Sequence, residues 1–139
     1  MVMQPVPEGF RLLERVSPFT ALIGPLYERR LGTEVALGLR IDKKHTNRRG
    51  ICHGGLLATL ADSALGHAMG ARTGGKYALV TASLTIDYVG SAKVGDWVEA
   101  QVEVQRVGAR LGFANCYLVA GEQRIVRASA IFALSAKAG

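Results

Sequence analysis

From Gly55 to Ala71 the sequence runs Gly-Leu-Leu-Ala-Thr-Leu-Ala-Asp-Ser-Ala-Leu-Gly-His-Ala-Met-Gly-Ala. This reads as a helix of roughly 25 Å, apolar almost all the way round. Helical spacing puts Leu57, Leu60, Ala61, Ala64 and Ala68 on one face, which should pack on a sheet. Asp62 lies almost opposite, and its helical neighbours are Ala58, Leu65 and Met69. A water-facing side would carry Lys or Glu there, so the second face is expected to be buried as well. One small sheet is not expected to cover both faces, which points to a subunit interface.

A polar turn, Asn47-Arg48-Arg49-Gly50-Ile51-Cys52-His53-Gly54-Gly55, feeds directly into this helix. Unpaired N–H groups at a helix start form a ready anion or oxyanion site. Asp62 sits two turns in, and no other acid occurs between Asp42 and Asp87. A carboxylate in apolar surroundings is a stronger base than a solvated one, so acid and turn read as two halves of a hydrolytic centre. The competing reading of Asp62 is a structural acid bonded to backbone or to a partner chain. Gly54 and Gly55 permit a tight turn or close packing. Close approach is also what a carbonyl oxygen at the helix start requires, and one such donor is worth about 3 kcal/mol of barrier. His53 is either a structural hydrogen-bonding histidine or a direct participant, whereas His45 and His67 read as ordinary. Cys52 and His53 are adjacent and should not face one another as nucleophile and base.

Around the helix the pattern is that of strands. Leu26–Leu31, then Val35, Leu37, Leu39 and Ile41 alternating after the Gly32-Thr33 turn, form a hairpin. After Gly74-Gly75 a meander follows, with strands over 77–89, 97–107, 111–120 and 123–134. Regular alternation in the first of these sets Thr81, Ser83, Thr85 and Asp87 on one face and Ala82, Leu84, Ile86 and Tyr88 on the other. Upstream, residues 1–8 read as a loose lead-in, 9–16 as a short strand, and Ser17-Pro18 as the start of a short helix ending near Gly24-Pro25. Residues 135–139 are expected to fray. The class is α+β, a single domain over 1–139 with the helix against one face of an antiparallel sheet.

Composition closes off several functions. A chain of 139 residues carrying 49% apolar residues holds one core and argues against disorder. The net charge of +6 suits an anionic partner or a solvated basic surface. No basic stripe is interleaved with aromatics, so nucleic acid is not expected. Cys52 and Cys116 are far apart and lack metal-ligand spacing, as expected for reduced thiols of a cytoplasmic protein. No signal peptide is visible. The most apolar segment, 51–71, contains His53, Asp62, His67 and several glycines and is not a membrane span.

With Asn47, His53-Gly54-Gly55 and Leu60-Ala61-Asp62 at this spacing, on a long helix between a hairpin and a meander, the chain resembles the hotdog-fold acyl-CoA thioesterases of the phenylacetate-pathway (PaaI-like) type. The resemblance covers roughly 17–134. It implies an antiparallel sheet wrapped around one long central helix, a homodimer at minimum and a homotetramer in full, with sites at the dimer interface. It implies acyl-CoA hydrolysis without metal or cofactor. By position, Asp62 becomes nucleophile or general base, Gly54 the N–H that polarises the thioester carbonyl, and Asn47 and His53 groups placed around it. A Ser or Thr on the strand after the helix holds the water or the acid; Thr81 fits best, with Ser83 two residues on along the same face. Gly55 lies against the substrate, and Lys93, Arg106 and Arg110 become candidates for the coenzyme A phosphates, Arg being well suited to that contact. Their competing reading is solvated turn charge. Ser91 departs from the Pro that many members carry in that turn. The rival functions are a non-catalytic acyl-CoA-binding hotdog protein and a hotdog enoyl-CoA hydratase, which would want a His–acid pair aimed at the acyl α and β carbons.

Overall fold

Alternating apolar residues pair the strands into one antiparallel sheet, and the only long helix among the described residues fills its concave side. The computed structural model describes residues 5–137. The elements are β1 (Arg11–Leu12), α1 (Pro18–Ile23), β2 (Tyr27–Leu31), β3 (Glu34–Arg40), a 3-10 turn (Lys43–His45), α2 (Gly54–Arg72), β4 (Tyr77–Tyr88), β5 (Trp97–Val107), β6 (Leu111–Ala120) and β7 (Gln123–Ala136). The spatial order is β1-β2-β3-β5-β6-β7-β4, so the strand that follows the helix forms one edge of the sheet. This is the hotdog arrangement.

Several local expectations hold for the stated reasons. The Ser17 side chain accepts the Thr20 N–H and Pro18 opens α1, which ends at Gly24. Val35, Leu37, Leu39 and Ile41 are all buried. Others need correction. The first strand is only two residues long, because the chain leaves β2 once the Leu13 N–H has bonded the Leu26 carbonyl. Residues 5–8 form no strand or helix but are tied down, with the Arg40 guanidinium on the Pro5 carbonyl at 2.6 Å. The rest of the expected lead-in, 1–4, lies outside the described residues, as do 138–139. β7 runs on to Ala136, two residues beyond the expected end.

The helix shows the largest difference. Leu57, Leu60, Ala61 and Ala64 are buried as expected, but Leu65 and Met69, assigned to a second surface, are 0% exposed within this one chain. Met69 packs against Gly112 of β6, where a side chain would collide with its thioether. A strongly curled seven-stranded sheet covers more of a helix than a small flat one does. The half-exposed strip left over carries Ala58, Thr59, Asp62, Ser63, Gly66 and Gly70.

On the outer face, Gly38 makes room for Trp97, since a methyl group at Gly38 would run into the indole. The Trp97 ring is fixed by Phe10 at 5.1 Å, Tyr27 at 5.7 Å and a bond from Nε1 to Glu99 at 3.2 Å. Gly38→Ala is therefore expected to destabilise by about 1–3 kcal/mol through overpacking. A lowered urea midpoint at unchanged slope would show it, and a wild-type midpoint would rule it out.

Candidate active site

The turn before α2 is built from its own hydrogen bonds. The Asn47 N–H donates to the Ile51 carbonyl at 2.8 Å, and the Gly50 N–H returns to the Asn47 carbonyl at 3.0 Å. Gly50 sits at φ +79°, a conformation that favours glycine. The Asn47 side-chain Oδ1 accepts the Arg49 N–H at 2.9 Å and the Ile51 N–H at 3.3 Å. With Oδ1 occupied inside the turn, the amide NH₂ is the end left for other partners. Cys52 N–H to Ala92 carbonyl, at 2.8 Å, ties this turn to the β4–β5 connection, and Ile51 pairs with Lys93.

His45 is a strut beneath this turn. It is 3% exposed. Its Nδ1 accepts the Asp42 N–H at 2.9 Å, so Nε2 carries the proton and donates to the Ile23 carbonyl at 2.6 Å. The His45 carbonyl in turn accepts the His53 N–H at 2.8 Å.

His53 caps α2. Its Nδ1 accepts the Gly55 N–H at 2.8 Å, which leaves the ring proton on the exposed Nε2. The Leu56 and Leu57 N–H groups both donate to the His53 carbonyl, at 3.0 and 3.3 Å. Of the first four N–H groups of the helix, Gly54's is thus the one with no acceptor among the described residues. It belongs to the same peptide group as the doubly bonded His53 carbonyl, and bonds on the carbonyl strengthen the N–H as a donor. Gly54 lines a cavity of about 330 Å³ bounded also by Asn47, Arg49, Gly55, Tyr88 and Ser91 among others. A larger hollow of about 470 Å³ near Arg11, Glu28 and His67 contains none of the groups singled out as catalytic.

Asp62 is half-buried, less than the helical pattern implied. Thr81 Oγ1 donates to its Oδ1 at 2.8 Å, while Oδ2 takes no hydrogen bond among the described residues. The acid therefore points towards β4 of its own sheet rather than away from it. Ser83 does not share this position. β4 bulges between Thr81 and Ser83, because Thr81 pairs with Phe132 and Ser83 with the next residue back, Ile131. Ala82 is the extra residue, and the alternation slips by one across it. Thr81 shares the inner face with buried Phe132, whereas Ser83 lies opposite Ile131 on the outer face. The bulge also brings Tyr88 inward, and its hydroxyl donates to the Gly54 carbonyl at 2.7 Å. Sequence reasoning missed Tyr88 as a site residue. Strict alternation grouped it with Leu84 and Ile86, as the structure does; nothing in the sequence marked the slip that sets Thr81 on that same face.

The basic candidates separate. Lys93 is beside the helix start through its pairing with Ile51. Arg106 and Arg110 flank the β5–β6 turn, near Gly112 and Met69, at the other end of the helix. Met69 is about 22 Å along the axis from Gly54. The cysteines are inert at neutral pH, since burial pushes the Cys52 thiol up to about 11 and the Cys116 thiol up to about 12. Gly54 and Asp62 themselves are about 12 Å apart along α2. No single carbonyl group can touch both within one chain.

The family model of the Thioesterase superfamily matches residues 49–126, the span holding Gly54, Asp62, Thr81 and Tyr88. A Pseudomonas aeruginosa protein provisionally named an esterase is 44% identical over 133 residues, 95% of this chain and 99% of that one. Mouse acyl-coenzyme A thioesterase 13 is 31% identical over 82% of this chain and 74% of its own length. Among solved structures, the phenylacetic acid degradation protein PaaI of Thermus thermophilus shares the fold, with a TM-score of 0.75 over 84% of this chain and 98% of that one at 24% identity. On the match over more than half its length and on these relatives, this chain belongs to the Thioesterase superfamily, hydrolases of the hotdog fold.

Proposed function

We propose that the protein hydrolyses an acyl-coenzyme A thioester at a site shared between two chains. The observation that carries this reading is the separation just described. An uncommitted N–H at Gly54 and a held carboxylate at Asp62 are complementary halves of one centre, too far apart to meet within one chain. A two-fold axis beside the middle of α2 would set Asp62 of one chain opposite Gly54 of the other. The edge strand β4, twelve residues long and lying at the end of the strand order, is available to pair across that axis. The homodimer is the minimum unit, and a homotetramer of two such dimers is the full assembly in this reading.

In that site the thioester oxygen meets the Gly54 N–H and gains negative charge as the carbonyl is attacked. Asp62 either attacks the carbonyl carbon or takes a proton from the water that does. Thr81 holds Oδ1, leaving Oδ2 for the reaction. The Asn47 amide and the His53 Nε2–H are further donors at the same end of the helix. The coenzyme A thiolate departs; where water attacked, the free acid remains, and where Asp62 attacked, water then hydrolyses the acyl–Asp62 anhydride to release the acid and restore the carboxylate. Lys93, paired with Ile51 beside the helix start, would meet a phosphate there. Arg106 and Arg110, at the other end of α2, would meet such a phosphate from another chain in this reading. Reduced cysteines and the acyl-CoA substrate fit a cytoplasmic location.

Thiol release from a panel of aryl and straight-chain acyl-CoAs tests the reading. Turnover of at least one of them is expected. No turnover on any would sink it.

A further inference from the structure

β4 touches both halves of the proposed centre, Asp62 through Thr81 and Gly54 through Tyr88. Positions 81 and 88 are an odd number of residues apart, so a regular strand would turn them to opposite faces. The bulge at Ala82 is what turns both inward. Tyr88 is 52% exposed, yet its ring is seated tightly. A methyl group on Gly54 would meet Tyr88 Cζ at 3.2 Å and Cε1 and Oη at 3.3 Å. In a regular helix the Gly54 carbonyl takes the Ala58 N–H, so the Tyr88 hydroxyl supplies an extra bond to its second lone pair. An exposed tyrosine held on its ring and its hydroxyl at once is a clamp on the first turn of α2.

We propose that Tyr88 is a positioning residue, whose hydroxyl holds the Gly54 residue so that its unpaired N–H keeps a fixed direction beside the cavity that Gly54 lines. This inference rests on the thioesterase reading, in which that N–H receives the charge of the attacked carbonyl. A donor acts on a transition state only when it is aimed before the charge develops. The strand that presents Thr81 to the acid therefore also aims the donor, and one bulge sets both.

Tyr88→Phe keeps the ring and removes the hydroxyl, and Tyr88→Leu removes both. Tyr88→Phe is expected to lower kcat about tenfold, the size of one ordinary hydrogen bond, with KM within about twofold and the thermal midpoint unchanged. The Gly54 amide should shift in the ¹H–¹⁵N spectrum. Tyr88→Leu should fall further in kcat. Wild-type kcat in Tyr88→Phe, or a raised KM at unchanged kcat, would overturn the proposal, because Tyr88 would then be a wall or a substrate contact. The amide readout keeps the two readings apart. Should the wild type release no thiol, the thioesterase reading fails, while an unmoved Gly54 amide in Tyr88→Phe would still refute the clamp.

Discussion

Asp62→Asn is expected to lower kcat by about 10²–10⁴-fold, the range for loss of a positioned base or nucleophile. The substitution isolates chemistry from architecture. Asn has the same shape, and its side-chain oxygen can still accept the Thr81 hydroxyl that now sits at 2.8 Å from Asp62. What disappears is the unpaired carboxylate oxygen and its basicity. The thermal midpoint should stay near the wild-type value, since Asp62 is only half-buried and forms no ion pair among the described residues. Thiol release on the best substrate of the panel measures the effect. Full kcat in Asp62→Asn would remove Asp62 from the mechanism, whatever the family.

Gly54→Pro is expected to lower kcat by about 10²–10³-fold, the usual consequence of deleting one oxyanion donor. Proline deletes that N–H and is suited to the position for two reasons. Gly54 is the first helical residue, where proline is well tolerated. His53 is already extended at φ −64° and ψ 133°, as the residue before a proline must be. The Cβ of the new residue meets the Tyr88 ring, which must give by a few tenths of an ångström. Mixing the two variants then tests the shared site. If Gly54 and Asp62 of different chains form one centre, refolding Gly54→Pro with Asp62→Asn in equal amounts yields mixed dimers with one intact site each. Activity should return to about a quarter of wild type, because half the dimers are mixed and half of their sites are whole. A mixture no more active than its components would show that each site lies within one chain.

The strand and helix boundaries were legible because their causes are local. Ser17-Pro18, Gly24, Gly32 and Gly74-Gly75 punctuate the chain, and each periodic stretch between them became the element its period suggested. The first strand was overestimated because only Arg11 and Leu12 find a neighbour, and strand formation depends on a partner that the segment itself does not specify. The candidate site was read in parts. His53-Gly54-Gly55 and Asp62 stand out from an apolar background, and their functional roles rest on resemblance together with the unpaired N–H and the Thr81 bond. Thr81 against Ser83 could not be settled from spacing. A bulge adds a residue without changing the composition of the strand, and it inverts every inward or outward assignment after it.

The sequence by itself determined that one long apolar helix with a single acid would be the centre of an α+β domain, since periodicity and burial of apolar area follow from residue order. Only the tertiary structure decided how far the sheet would close on that helix. Its curl buried Leu65 and Met69 without a second chain and turned Asp62 towards Thr81. It also decided that Tyr88 would close on Gly54. Twist, curl and bulge position arise from the pairing of strands distant in sequence, β4 with β7 above all, and no local pattern carries that information.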